Sequence, residues 1–266
     1  MRFFEQYGPW ALVAGASEGT GEQFARQLAA RGLNLILIAR RTAPLEALAQ
    51  DLRAAHGVQC LTASIDLAAA DAAARMAALA AGRDVGLLIL NAGADPNGST
   101  FLDGAIEDWA DLAMRNVITV MRACHHFGQG MKARGKGGLM LVGSGACYAG
   151  LPGVAVYGGT KAFDLVFGEA LWAELQPHGV HVLNYILGRT DTPAHRKLLE
   201  ENGMAIPEGM ATSEEVARLG LERLAQGPVL NWGLADDEAG FAGASAADRR
   251  ARILAFAAHS NYTKRG

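Results

Sequence analysis

The chain has 266 residues, half of them hydrophobic, and a net charge of −3 at pH 7; that length suits one α/β domain with a large core, and the absence of a basic tract argues against nucleic acid as the main partner. Its three cysteines, Cys60, Cys124 and Cys147, lack paired or metal-binding spacing, which argues against a disulfide framework and points to a reduced, cytoplasmic compartment. No apolar stretch approaches the roughly 20 residues that span a bilayer, and Met1 to Glu5 does not lead into a signal-peptide core, so a soluble protein with no membrane partner is expected.

The first element is the apolar run from Trp10 to Gly15, followed by Ala16-Ser17-Glu18-Gly19-Thr20-Gly21 and an alanine-rich amphipathic segment to Arg31. This predicts a buried strand, a glycine turn and a helix. Gly15, Gly19 and Gly21 would let the backbone approach a pyrophosphate, with the helix N–H groups aimed at its oxygens. The alternative is a tight strand-to-helix turn that holds nothing.

A second strand is predicted at 34–39. At its end, about 20 residues beyond Gly21, a carboxylate would bind the adenosine ribose and select NAD. Arg40 and Arg41 stand there instead, and guanidinium groups favour a 2′-phosphate, so NADP(H) is expected, with NAD(H) still possible. Glu18 opposes this slightly as a negative charge near the same ribose. Solvated arginines at a helix start are the other reading.

Further strands are predicted at 58–64, 85–91, 138–144, 181–187 and 229–232, separated by helices. Near-continuous runs such as Leu35-Ile36-Leu37-Ile38 and Leu87-Leu88-Ile89-Leu90 suit a parallel sheet covered on both faces. The expected fold is therefore a single α/β domain over 1–266, a doubly wound, Rossmann-type parallel sheet of about seven strands, with ligands at the carboxyl ends of its strands. Gly15, Arg40, Asn91, Ser144 and Gly188 all fall at such ends.

Tyr157 and Lys161 stand four residues apart in a predicted helix, on one face and one turn from each other. A phenol is a poor proton donor near neutrality until a neighbouring positive charge favours its ionised form. Lys161 would supply that charge, and Ser144 could hold a substrate oxygen beside the phenol, as carbonyl reduction or alcohol oxidation requires. Residues 189–212, punctuated by proline and glycine, are expected to form a lid of one or two small helices. A carboxy-terminal extension over 233–266 is expected to dock on the domain or on a neighbouring subunit.

Gly15, Gly19 and Gly21, Asn91-Ala92-Gly93, Asn116, Ser144, Tyr157 and Lys161 together resemble, in order and spacing, the short-chain dehydrogenase/reductase family. The opening Tyr-Gly-Pro-Trp-Ala-Leu-Val and the run from Lys161 through Ala-Phe-Asp-Leu-Val-Phe resemble its branch of long-chain 3-oxoacyl reductases and 17β-hydroxysteroid dehydrogenases. The resemblance implies a catalytic set of Asn116, Ser144, Tyr157 and Lys161, with Asn116 holding a water in a proton relay and Lys161 bonding the nicotinamide ribose. Cofactor contacts are implied for Gly15, Ser17, Glu18, Gly19, Thr20, Gly21, Arg40 and Arg41; for Asp66 and Leu67 at the adenine; and for Asn91, Ala92, Gly93, Tyr157, Lys161, Gly188, Thr190 and Thr192. Without the resemblance, Asn116 could simply be a polar helix residue at a kink.

Three positions depart from the family pattern. Ala14 replaces a threonine that braces the Asn-Ala-Gly turn, Gly143 replaces a second serine, and Leu187-Gly188 replaces Pro-Gly, which suggests a more mobile loop after the sixth strand. None removes a catalytic group. The expected activity is interconversion of a ketone and a secondary alcohol with NADP(H), on an apolar substrate such as a steroid, a long acyl chain or an aromatic ketone. The alternatives are a reductase of small ketones, a dinucleotide-binding sensor or scaffold without turnover, and a methyltransferase on a similar sheet.

His125 and His126 are adjacent, which is not a metal-binding spacing, so no metal is expected. Cys147, Tyr148, Asp95, Trp172, Met204 and Met210 are candidates for the pocket or lid. Broad apolar faces on the helices around 105–130 and 154–178 suggest a homodimer or homotetramer, although a core-facing stripe would look the same.

Overall fold

The computed structural model describes residues 2–93, 99–201 and 203–232. Nine strands occur among them: β1 (Trp10–Ala14), β2 (Asn34–Ala39), β3 (Cys60–Ser64), β4 (Val85–Leu90), β5 (Gly137–Ser144), β6 (Val180–Leu187), β7 (Thr190–Asp191), β8 (Ala211–Thr212) and β9 (Val229–Trp232). Seven build one parallel sheet in the order β3-β2-β1-β4-β5-β6-β9, while β7 and β8 pair separately. The order reverses beside β1, where the chain crosses from one half of the sheet to the other, and this leaves a crevice at the carboxyl ends of β1 and β4.

The helices are α1 (Phe3–Tyr7), α2 (Gly19–Ala30), α3 (Thr42–His56), α4 (Ala72–Leu79), α5 (Ile106–Ala113), α6 (Thr119–Arg134), α7 (Ala155–Leu175), α8 (Pro193–Glu201) and α9 (Ser213–Arg223). Alternate residues of each strand feed two cores. Val13, Leu35, Leu37 and Tyr185 pack with Phe24 of α2, Leu45 of α3 and Leu221 of α9. Leu12, Ile36, Leu88 and Leu141 pack with Met76 of α4, Phe127 of α6 and Leu175 of α7 on the opposite face. Every residue of β1 and β4 is buried, which accounts for sequence runs that do not alternate.

The seven expected strands are present, with small shifts at their ends. The third begins at Cys60 rather than 58, because the N–H of Gln59 bonds the Asn34 side-chain oxygen at 2.9 Å instead of joining the ladder. The helix expected around 105–130 is α5 and α6 joined by a π-helical turn, Met114–Ile118. The segment 189–212 holds β7, α8 and β8, so of the one or two helices expected, one is seen among its described residues. The extension at 233–266 and Asp95 lie outside the described residues.

At the amino-terminal ends of the strands, α1 clasps the sheet. Gln6 Nε2 donates to the carbonyls of Gly137 (3.3 Å) and Gly179 (2.9 Å), and Tyr7 Oη lies 2.6 Å from His181 Nδ1. Burial raises the Tyr7 phenol and lowers His181 from their ordinary values.

Candidate active site

The carboxyl end of β1 runs into Gly15, whose N–H and that of Ala16 both donate to the Ile38 carbonyl, at 2.7 and 3.1 Å. Gly21, two residues into α2, sits so close beneath this turn that a Cβ there would lie 1.9 Å from the Gly15 carbonyl oxygen. Only glycine fits at that approach. The N-cap of α2, Glu18, makes no capping bond, so the first-turn N–H groups are available to an anion, and a dinucleotide pyrophosphate suits the turn chemically. Ser17, Glu18 and Gly19 are half-buried and Thr20 is buried in the first turn.

With no hydroxyl at Ala14, the turn is joined to the neighbouring strand through the backbone of residues 14 and 15. The N–H groups of Asn91 and Ala92 both donate to the Ala14 carbonyl at 3.0 Å, and Asn91 Nδ2 donates to the Gly15 carbonyl at 3.1 Å. Asn91 thereby stitches the β4 end to the glycine turn. At the β2 end the Glu18 carboxylate is held by Arg41 at 2.6 Å, while the side chain of Arg40 is exposed. The negative charge of Glu18 is thus matched by one guanidinium, leaving the other exposed to solvent. After β3, Asp66 Oδ1 accepts the N–H of Ala68 at 3.0 Å, and the carbonyl of buried Leu67 accepts the hydroxyl of Thr119 at 2.8 Å.

The π-helical turn brings Asn116 inward, fully buried. An extra residue per turn re-aims one side chain without breaking the helix. Its Nδ2 donates to the Gly93 carbonyl at 3.1 Å and to Thr160 Oγ1 at 3.0 Å, and Thr160 Oγ1 donates to the Tyr157 carbonyl at 2.8 Å. The Asn-Ala-Gly turn, the π-turn and the first turns of α7 are therefore one hydrogen-bonded unit. Asn116 Oδ1 is buried without a partner among the described residues, an acceptor suited to a water or ligand group. Gly93 has φ 152°, and a Cβ on it would lie 2.9 Å from Asn116 Oδ1 and 3.0 Å from Lys161 Nζ. A side chain there would drive the two groups off.

Lys161 is buried on α7, donating from Nζ to the Val142 carbonyl at 3.0 Å and to Asp164 Oδ2 at 3.1 Å. Tyr157, one turn earlier, is half-buried, and α7 packs against the 3-10 turn Gly145–Cys147 that follows β5. Ser144 ends β5 and caps that turn, its Oγ accepting the N–H of Ala146 at 3.3 Å. That bond uses an acceptor lone pair, so the hydroxyl proton remains free to donate to a substrate oxygen. Burial pushes the Cys147 thiol up to about 12, which keeps it protonated and unreactive. Tyr148 Oη donates to Asn231 Oδ1 at 2.7 Å, fixing the turn after Ser144 to β9. Trp172 packs partly buried against the core, and Met204 and Met210 are half-buried in the segment after α8.

At the β6 end the N–H of Gly188 donates to the Trp232 carbonyl at 2.7 Å, so a backbone bond holds the bend where proline is lacking. Thr190 is buried. Thr192 Oγ1 accepts the N–H of His195 at 3.1 Å, capping α8 and leaving its own proton to donate. Asp191 forks onto Arg196 at 2.5 and 2.6 Å, and this exposed pair lowers the aspartate from its ordinary value. Sequence reasoning missed Arg196, Asp164, Thr119 and Thr160. Only Asp164 carried a signal, as a charge inside the apolar run Ala162-Phe163-Asp164-Leu165-Val166-Phe167. Among the described residues no cluster of three His, Cys, Asp or Glu could hold a metal, and no helix is long and apolar enough to cross a membrane.

Comparisons with known proteins bear on this arrangement. A very-long-chain 3-oxoacyl-CoA reductase of Coprinopsis cinerea is 36% identical over 186 residues, 69% of this chain and 55% of the relative. The chain thus spans about half the length of that reductase. A solved structure from work on 7beta-hydroxysteroid dehydrogenase stereoselectivity superposes with a TM-score of 0.86 at 27% identity, covering 96% of this chain and 99% of that one. A short-chain dehydrogenase from Sphingobium yanoikuyae in complex with NADPH gives a TM-score of 0.75 at 29% identity, over 86% of this chain and 90% of that one. The model of the short chain dehydrogenase family matches residues 9–203, well over half of the sequence and the span from the glycine turn through Thr192, and the chain belongs to that family.

Proposed function

We propose that this protein is an NADP(H)-dependent oxidoreductase that interconverts a ketone and a secondary alcohol, with an apolar substrate. The observation that carries the reading is the buried Lys161, one turn after Tyr157 on α7, bonded at 3.0 Å to the carbonyl of Val142 on β5, the strand that Ser144 ends, at the same carboxyl end of the sheet as the glycine turn after β1. The relatives add support: one is a reductase of very-long-chain 3-oxoacyl-CoA, another a hydroxysteroid dehydrogenase, and a third holds NADPH.

On this reading Gly15, Ser17, Glu18, Gly19, Thr20 and Gly21 take the pyrophosphate, Arg40 and Arg41 the 2′-phosphate, and Asp66 and Leu67 the adenine. Asn91, Ala92 and Gly93 lie along the riboses, and Gly188, Thr190 and Thr192 receive the nicotinamide end. The bound cofactor supplies or accepts the hydride. Tyr157 gives its proton to the carbonyl oxygen as that oxygen gains charge, or takes it back in the oxidative direction. Ser144 donates to the same oxygen and orients the carbonyl. Lys161 holds positive charge beside the phenol, and Asn116 Oδ1 anchors a water through which Tyr157 is reprotonated. Residues 189–212 serve as the lid, pivoting where β7 and β8 pair. The exposed apolar side chains of Ile106, Met121 and Val166 on α5, α6 and α7 form a homo-oligomeric contact, and the unpaired cysteines suit a cytoplasmic setting.

The test is NADPH oxidation against a panel of steroid, long-acyl and aromatic ketones, followed by Tyr157→Phe. That variant is expected to bind NADPH as the wild type does and to lose about a hundredfold or more in kcat. Undiminished turnover refutes the proton role, and activity confined to small ketones refutes the apolar substrate.

A further inference from the structure

Asp164 is a charged residue where the helix interior would be expected to be apolar. It lies three residues after Lys161 on the same face of α7, with its side chain 4% exposed. Oδ2 meets Lys161 Nζ at 3.1 Å, and Oδ1 is buried with no partner among the described residues. A carboxylate left half-satisfied in the interior is costly, yet an apolar residue here would strand the buried Lys161 ammonium without its counter-ion. The carboxylate is therefore tied to the lysine.

The ammonium has three donors. One goes to the Val142 carbonyl and one to Asp164, which leaves a single N–H for a ligand and fixes the direction of the side chain. The carboxylate also turns the cation into one end of a dipole, so the positive field felt one turn away at Tyr157 is smaller than that of an isolated lysine.

We propose that Asp164 is a positioning residue of this site: as the buried counter-ion of Lys161 it fixes where the ammonium sits and limits how much of its charge acts on the Tyr157 phenol. The proposal rests on the oxidoreductase reading for its consequence, though not for its geometry. The other titratable groups around the pair are Cys124 on α6, Cys147 in the 3-10 turn, and Tyr157 and Glu169 on α7. Burial raises both thiols, so neither takes up a charge near neutrality, and Glu169 is exposed. Burial also raises the Asp164 carboxyl, and Lys161 pulls it back down.

The experiment follows tyrosinate formation by ultraviolet difference absorbance on the full-length protein, with Tyr157 assigned by the signal missing in Tyr157→Phe. In Asp164→Asn the Tyr157 signal is expected at a pH lower by roughly one unit. The alkaline limb of the kcat profile for ketone reduction should move with it, because the donor is the protonated phenol, while KM for the ketone changes less than about threefold. Asp164→Glu, which keeps the charge, should restore the wild-type position. Asp164→Ser is a second charge-removing variant that still offers the ammonium an acceptor.

A Tyr157 signal unmoved in both charge-removing variants overturns the proposal. So does a carboxyl-carbon NMR resonance showing Asp164 protonated at neutral pH in the wild type, a measurement that needs no variant to fold. If the wild type reduces no ketone, the oxidoreductase reading falls, and the tyrosinate titration still decides the role of Asp164.

Discussion

At the β2 end two guanidinium groups differ in what surrounds them, and the difference can be measured. Arg41 is occupied by Glu18, whereas Arg40 is exposed and fit to fork onto a phosphate. Arg40→Asp is expected to raise KM for NADPH by about tenfold or more and to improve use of NADH, in line with one bidentate ion pair. Initial rates with the two cofactors check this, and an equal change in both would mean that Arg40 does not read the phosphate. Much of this site was legible in the sequence because its residues are chemically unusual for their positions: arginines where a carboxylate is expected, and a phenol and an ammonium on one helical face. Thr119, Thr160 and Arg196 were not legible. Each is an ordinary helix residue whose meaning comes from a partner in another segment or another turn, and no local spacing encodes that partner. The orphaned oxygen of Asn116 was equally hidden, since it depends on the π-turn that rotates the side chain inward.

Among the elements, α9 is the one whose start is most fully specified. Thr212 Oγ1 accepts the N–H of Glu215 at 3.2 Å, and the Glu215 carboxylate accepts the N–H of Thr212 at 3.1 Å. This is a reciprocal capping box, written in the sequence as Thr-Ser-Glu-Glu. Ser213 Oγ also donates to the Asp191 carbonyl at 2.8 Å, so the same corner ties β7 to β8 at the root of the proposed lid. Thr212→Ala should cost about 1 kcal/mol, lowering Tm by roughly 2–4 °C for a domain of this size. Thermal unfolding followed by circular dichroism measures it, and an unchanged Tm would mean that the box adds nothing. The strands themselves were readable as apolar runs, whereas the two-residue pairing of β7 with β8 was not, because it joins residues about 20 apart that carry no strand pattern of their own.

For the whole molecule, the clasp of α1 on β5 and β6 makes stability depend on pH. Burial lowers His181 from its ordinary value of 6.5, so the folded protein favours the neutral ring and the unfolded chain binds the proton more readily. Stability from this group is therefore complete above about pH 6.5 and is lost as pH falls through the lower folded value. Tm measured across that range should fall on the acid side in the wild type and fall less in His181→Gln; parallel curves would mean that the ring does not report on folding. The same clasp fixes the molecule's polarity. Gln6 and Tyr7 anchor the amino-terminal segment to the starts of the parallel strands, while the glycine turn, Ser144 and Lys161 gather at their finishes. A surface tether or fusion partner joined through Arg2 would thus hang from the rear of the sheet, and an immobilised preparation would present its crevice outward to whatever solution flows past.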